Sequence, residues 1–103
     1  MDKGTAKIAA KFASRIRKVY RPERIILFGS RARGDNFNSS DFDFIVVSEK
    51  FLETPFLQRP SEMYQFGDEP VDIEAICYTP AEFERKSKQH GIVRYAIREG
   101  IEL

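Results

Sequence analysis

The segment of residues 25–47 constrains this chain most, because it joins two apolar runs through a polar loop. Its first part, the Ile-Ile-Leu-Phe run of residues 25–28, is a short continuous apolar stretch typical of a buried strand. That run ends at Gly29 and Ser30, and a second apolar run opens with Asp-Phe-Asp at residues 41–43. We therefore predict two neighbouring strands, with a glycine-serine turn at the end of one and a pair of acids at the start of the other.

The two acids of the second strand are predicted to share one face of the sheet. Side chains alternate across a β-strand, so Asp41 and Asp43 point the same way, about 7 Å apart along the chain. The opposite face then carries Phe42, Phe44 and Val46. Two like charges at this spacing are relieved either by a raised pKa on one acid or by a shared cation. Carboxylate oxygens are the ligands that Mg²⁺ prefers, and Mn²⁺ also suits them.

The glycine-serine turn has the composition of a phosphate-binding site. Gly29 would let a ligand approach the backbone, and N–H groups after such a turn can donate to phosphate oxygens. Ser30 adds a hydroxyl, and Arg31 and Arg33 add guanidinium groups suited to triphosphate oxygens. We predict that these four residues bind a nucleotide.

Other nucleotide-binding motifs do not fit this sequence. The glycine spacing of residues 29–34 matches a P-loop, but Asp35 and Asn36 stand where that motif needs Lys and then Ser or Thr. The chain also contains no G-x-G-x-x-G, which argues against a dinucleotide fold.

A third acid is expected from the later apolar run of residues 71–78. Asp72 and Glu74 share one face of this predicted strand, and the other face is apolar. An acid on such a strand is unfavourable unless it meets a cation, or unless this face of an edge strand is exposed to water. A metal between this strand and the strand of Asp41 and Asp43 would explain the placement, and both Asp72 and Glu74 are candidates for the third ligand.

These motifs resemble the minimal nucleotidyltransferases (MNT) of the DNA polymerase β-like superfamily. The resemblance rests on GSRARG, on SDFDFIVV and on an acid followed by ICYTPAEFERK, and it extends from Ile25 onward. It implies an α/β (α+β) fold, a small mixed β-sheet flanked by helices. It also implies that Gly29 and Ser30 hold the triphosphate and that Asp41 and Asp43 are the paired metal ligands.

The resemblance leaves the third carboxylate open between two residues. Relatives with a tail like YTPAEF place their acid four residues before that tyrosine, which here is Glu74. Many other relatives use Asp in a hydrophobic-Asp-hydrophobic triplet, and Asp72 fits that pattern as the alternative.

The activity implied by the resemblance is transfer of a nucleoside monophosphate from an NTP, with release of pyrophosphate and with two Mg²⁺ or Mn²⁺ ions. Minimal members are frequently antitoxins of small helical HEPN-type toxins, and some transfer AMP onto a tyrosine of the toxin. We therefore expect an ATP-dependent adenylyltransferase that acts on such a protein partner, since little chain is left for an acceptor domain. The alternatives are a non-catalytic antitoxin of the same fold and a small-molecule nucleotidyltransferase that works as a homodimer.

Length and composition agree with one small domain spanning residues 1–103. The net charge is +1 and the basic residues are spread along the chain, which disfavours extended nucleic-acid binding. One cysteine fits a reducing compartment. The sequence contains no 18-residue apolar stretch, so we expect no membrane span. We expect a cytoplasmic protein.

The remaining elements are predicted to be mainly helical. Apolar periodicity predicts a helix over residues 5–20 and a kinked or restarted helix at Pro60. Thr79, Pro80 and Glu82 have the pattern of a helix start, and that helix should end near Gln89. A last helix over residues 92–99 should be followed by an edge strand or a tail.

Overall fold

The chain folds around a four-stranded mixed sheet with helices against both faces, in a computed structural model that describes residues 1–68 and 71–103. The strands are β1 (Arg24–Phe28), β2 (Phe42–Val47), β3 (Ile73–Tyr78) and β4 (Ile101–Glu102). The helices are α1 (Lys3–Tyr20), α2 (Ser30–Arg33), α3 (Arg59–Met63), α4 (Pro80–Ser87) and α5 (Ile92–Glu99). Short 3₁₀ turns cover Glu49–Glu53, Phe56–Gln58 and Tyr64–Phe66.

The strand order β3-β2-β1-β4 brings the two predicted acid-bearing strands side by side. Strand β1 pairs antiparallel with β2 and with β4, whereas β2 and β3 run parallel. Phe28 is therefore opposite Asp43, and Asp43 is opposite Glu74. The end of β1 and the starts of β2 and β3 therefore meet at one end of the sheet. The combination of parallel and antiparallel pairs confirms the predicted mixed sheet.

Strict alternation along β2 divides the apolar residues between two cores. Phe44 belongs to the core beneath α1, where its ring stacks on Phe12 with centroids 4.4 Å apart. Ile45 belongs to the core on the other face, beneath α4 and α5. Burying a large apolar side chain contributes about 1.5–3 kcal/mol, so a one-residue slip of this strand would be strongly unfavourable. The acid-bearing face is thereby set by the packing of the apolar residues.

The helix boundaries agree with the predictions in type and differ in detail. Helix α1 begins at Lys3, before the predicted start, because the Asp2 carboxylate accepts a hydrogen bond from the Thr5 N–H at 2.7 Å and caps the helix. Helix α3 contains Pro60 in its first turn, as expected for a restarted helix. Helix α4 begins with the predicted capping box and ends at Ser87, before the predicted end.

The last residues form an edge strand and not a tail, since β4 pairs with β1. Among the described residues, no helix combines the length and the apolar character that a membrane crossing requires.

Buried Arg59 attaches the irregular segment of residues 49–66 to the sheet. Its guanidinium donates to the Glu82 carboxylate at 2.5 Å, to the Cys77 carbonyl at 3.2 Å and to the Thr54 carbonyl at 2.8 Å. A charge buried in this way is tolerated because its donors are paired. Arg59 therefore connects α3, β3 and α4.

Candidate functional site

The Asp43 carboxyl lies at the end of the sheet where the end of β1 meets the starts of β2 and β3. It faces the side of the sheet beneath α4 and α5, next to Glu74 on the parallel strand β3. Burial raises the pKa of Asp43 to about 6, and the neighbouring carboxyls of Glu74 and Asp41 add to the increase, while Arg33 opposes it. A raised pKa on one acid is one of the two outcomes expected for carboxylates held close together.

The Gly29 turn packs directly against this carboxyl. Gly29 has a φ of 77°, and a Cβ atom added there would lie 2.4 Å from the Asp43 Oδ2 atom. A side chain at this position would have to displace the Asp43 carboxyl, and L residues rarely adopt this backbone conformation. The predicted phosphate turn and the predicted metal ligand are thus in van der Waals contact.

A short helix, α2, follows the turn at once, which the sequence pattern did not predict. The Gly29 carbonyl accepts from the N–H groups of Ala32 and Arg33, both at 3.1 Å. Ser30 is the first residue of α2 and is half-buried. The first N–H groups of a helix have no intrahelical partner, so those of Ser30 and its neighbour are free of the helix's own bonding.

Arg31 has a structural role in this fold, and its guanidinium is turned away from the phosphate turn. Its side chain is buried under Phe42, with the guanidinium carbon 4.4 Å from the ring centroid. It donates to the Ser40 carbonyl at 2.9 Å, to the Asn38 carbonyl at 3.0 Å and to the Thr5 hydroxyl at 3.1 Å. Arg31 therefore ties the loop before β2 to α1, and these bonds leave its donors unavailable to a triphosphate. The residue type alone could not separate this role from phosphate binding.

Arg33, in contrast, is exposed and lies beside the acids. Its guanidinium donates to the Asp35 carboxylate at 3.1 Å and to the Tyr95 hydroxyl at 2.7 Å. Its charge acts on Asp43, whose pKa it lowers. Of the two predicted arginines, Arg33 is the one positioned to meet phosphate oxygens.

Asp41 and Asp72 lie at the mouth of the site. Asp41 precedes β2 and Asp72 precedes β3, and both are exposed. The Asp72 carbonyl accepts from the Phe42 N–H at 2.9 Å, which extends the parallel ladder by one bond. Both acids and Glu74 line a cleft of about 400 Å³, which Tyr64 also lines. The strand register places Glu74, and not Asp72, directly beside Asp43.

The acidic groups have the chemistry for a divalent cation but are not drawn together around one point. Within residues 1–68 and 71–103, no three Asp, Glu, His or Cys side chains converge closely enough for a ready-made metal cluster. Asp43 and Glu74 nevertheless lie close enough for the Glu74 carboxyl to raise the pKa of Asp43. The hard oxygen donors and the raised pKa of Asp43 fit Mg²⁺ or Mn²⁺.

Sequence reasoning did not identify Tyr95 or Tyr64, which the fold brings to the two sides of the site. Tyr95 lies on α5, and Tyr64 follows α3. No local motif marks either residue, because their relation to the site depends on how the helices pack.

The comparisons with known proteins identify the family. The family described as nucleotidyltransferase domain matches residues 7–101. The chain belongs to this family, within the DNA polymerase β-like superfamily. A comparison with functionally curated proteins finds no match.

A crystal structure supports the fold of this nucleotidyltransferase domain. A Sulfolobus solfataricus protein, provisionally described as a nucleotidyltransferase, matches with a TM-score of 0.65 and 21% sequence identity. The match covers 95% of this chain and 78% of that chain. At this identity the likeness concerns the fold, and it confirms the predicted small mixed sheet with flanking helices. Family membership also implies an NTP as substrate and divalent metal ions as typical cofactors.

Proposed function

We propose that this nucleotidyltransferase domain is an active Mg²⁺-dependent enzyme that transfers AMP from ATP to a protein partner and releases pyrophosphate. The main support is the contact between the Gly29 turn and the Asp43 carboxyl, because a Cβ at Gly29 would lie 2.4 Å from Asp43 Oδ2. Because residue 29 is a glycine, the Asp43 carboxyl can lie directly beside the backbone of the predicted phosphate turn. That proximity is what a metal-bound triphosphate requires of a protein.

Asp41, Asp43 and Glu74 would hold the metal ions, with Asp72 as the alternative third ligand. When bound, Mg²⁺ would neutralise triphosphate charge and lower the pKa of the attacking hydroxyl. With a pKa of about 6, Asp43 is mostly ionised at pH 7.5 even without a cation, so it is ready to act as a ligand. The Glu74 carboxyl beside it supplies the second oxygen donor on the same face.

The residues on the other side of the site would orient the nucleotide. The Ser30 hydroxyl and the free N–H groups at the start of α2 can donate to phosphate oxygens. Arg33 adds a guanidinium whose planar donors match a phosphate. Phosphoryl transfer depends mainly on such positioning and charge neutralisation, so no covalent catalyst is needed.

A protein acceptor is supported by an exposed aromatic side chain at the acidic cleft. Tyr64 is 61% exposed. Tyr64 also lines the cleft with Asp41 and Glu74. Aromatic residues are enriched in protein–protein interfaces. We propose that this surface contacts a small helical HEPN-type toxin, for which the domain is the antitoxin.

A second candidate function keeps this partner and omits catalysis. In that case the domain would neutralise the toxin by covering it.

The decisive experiment combines the protein with α-labelled ATP, Mg²⁺ and a small helical HEPN-type protein as the partner. We expect label on the partner, and at least about 100-fold less label with Asp43→Asn, because this change removes a ligand while keeping the shape. Glu53→Gln, at an exposed acid away from the site, is the matched control and should label normally. Equal labelling by wild type and Asp43→Asn would refute the catalytic proposal.

Protection of growth separates the two candidates. If the Asp41→Asn/Asp43→Asn double variant is folded and still protects cells from the partner, neutralisation occurs by covering. If protection is lost together with labelling, transfer is the function.

A further inference from the structure

The guanidinium of Arg33 is held between two acceptors from different parts of the fold. Its Nη1 atom donates to the Tyr95 hydroxyl at 2.7 Å, and its Nε atom donates to the Asp35 carboxylate at 3.1 Å. The side chain is otherwise 44% exposed, and its charge acts on Asp43. Without these contacts, a long exposed arginine would sample many rotamers.

The two acceptors differ in rigidity. Asp35 lies in an exposed loop, with 62% of its side chain exposed. Tyr95 is half-buried and packs against the core that includes Ile26 and Ala96. The hydroxyl of Tyr95 is therefore a fixed point supplied by α5.

The two acceptors also differ in charge. A carboxylate neutralises the guanidinium it binds, whereas a neutral hydroxyl directs it and leaves its positive charge available. A guanidinium has five N–H donors, so one bond to Tyr95 leaves others free for a second acceptor. A hydroxyl is thus the better partner for an arginine that must still attract an anion.

We propose that Tyr95 is a positioning residue that holds Arg33 ready for the phosphates of the nucleotide. The proposal rests on the nucleotidyltransferase function above, and it assigns to α5 a part in substrate binding. The Tyr95 ring itself does not need to touch the nucleotide. Its hydroxyl acts through Arg33, so the effect of losing it should depend on Arg33 being present.

Binding of ATP with Mg²⁺ to four proteins tests this dependence: wild type, Tyr95→Phe, Arg33→Met and the double variant. We expect Tyr95→Phe to weaken binding about 3- to 10-fold, since one directing hydrogen bond is lost. In the Arg33→Met background the same change should have no effect, because the residue it positions is gone. In the transfer reaction, Tyr95→Phe should raise KM for ATP and leave kcat nearly unchanged.

A second readout needs no nucleotide. The Arg33 Nη1–H NMR signal, from the group that donates to Tyr95, should be exchange-protected in the wild type and should lose this protection in Tyr95→Phe. Tyr20→Phe is the matched control, because it also removes a tyrosine hydroxyl bond, to Glu62 at 2.5 Å, at the opposite end of the fold. It should lower stability without changing ATP affinity or the Arg33 signal.

The outcomes separate this proposal from the proposed function. If the wild type binds ATP and Arg33→Met weakens binding while Tyr95→Phe does not, Tyr95 has no positioning role and the function stands. If Tyr95→Phe weakens binding equally in both backgrounds, it acts independently of Arg33, which also overturns the proposal. If the wild type binds no ATP even with Mg²⁺, the proposed function and this inference fail together.

Discussion

Substituting alanine at Gly29 and at Gly34 would separate the strain of the backbone from the contact that forms the site. Both glycines have positive φ, 77° at Gly29 and 86° at Gly34. An added Cβ at Gly34 would meet no atom within 4 Å, whereas at Gly29 it would lie 2.4 Å from Asp43 Oδ2. Both substitutions therefore strain the backbone, but only Gly29→Ala brings an added atom against Asp43.

The expected magnitudes follow from these geometries. At Gly34 the backbone is left-handed, and alanine there should cost about 1–2 kcal/mol of unfolding free energy. At Gly29 the ψ of −159° places the residue in a region essentially restricted to glycine, where a side chain costs about 2–3 kcal/mol. In addition, Asp43 Oδ2 must move by about 1 Å to reach an ordinary van der Waals distance. The carboxyl can move because it ends a flexible side chain, but it then leaves its place beside Glu74.

The assay measures stability by urea unfolding and cation binding by Mn²⁺ titration, for both variants and for Gly29→Ala combined with Asp43→Ala. We expect Gly34→Ala to bind Mn²⁺ as the wild type does, and Gly29→Ala to bind at least about tenfold more weakly. The stability loss at Gly29 should be smaller by about 1 kcal/mol in the Asp43→Ala background, where the contact is absent.

Two results would refute this reasoning. Normal Mn²⁺ binding by folded Gly29→Ala would mean that the turn does not set the position of Asp43. A stability loss at Gly29 that is the same with and without the Asp43 carboxyl would mean that backbone strain alone accounts for the effect.

Three further predictions concern other residues of the site and the core. The folded state holds a proton on Asp43 up to a pH of about 6, above the ordinary value of 3.8, so without divalent cations its stability should fall as pH rises through this range. Asp43→Asn should therefore be more stable than the wild type by about 1–2 kcal/mol at pH 7.5, after allowing for the partial exposure of Asp43, and no more stable near pH 4. Urea unfolding at both pH values measures this, and a pH-independent difference, or the same gain in exposed Glu53→Gln, would contradict it. Arg31→Met should lower the free energy of unfolding by about 2–4 kcal/mol, because buried acceptors lose their donor. Arg33→Met should weaken ATP binding with little change in stability. Calorimetry of unfolding and of ATP binding would show the opposite pattern if the roles of the two arginines were exchanged. Arg59→Met should lower stability by about 2–4 kcal/mol in thermal unfolding, and an unchanged midpoint would show that its buried bonds contribute nothing net.

Much of the fold could be predicted from local patterns, because those patterns act over a few residues. The apolar run before Gly29 and the alternation after Asp41 predicted two strands, and both are present as β1 and β2. The capping pattern at Thr79 and Glu82 predicted the start of α4, since both of its hydrogen bonds lie within one helical turn. The start of α1 was misplaced because the capping role of Asp2 was not recognised.

The roles of individual side chains in the site were less predictable. Arg31 and Arg33 are two residues apart and have the same chemistry, yet one is buried against Phe42 and the other is exposed beside the acids. The difference arises because Arg31 points toward Thr5 of α1, 26 residues earlier in the chain, and toward the carbonyls of the loop before β2.

The sequence by itself determined which face of β2 carries the acids, because burial of Phe42, Phe44 and Val46 leaves Asp43 only the opposite side. The tertiary structure decided which residues meet there. Parallel pairing of β2 with β3 placed Glu74 beside Asp43, the close approach of β1 brought Gly29 against the same carboxyl, and the packing of α5 brought Tyr95 to Arg33. Alternation is a property of a single strand, whereas register and helix packing depend on contacts between segments far apart in the chain.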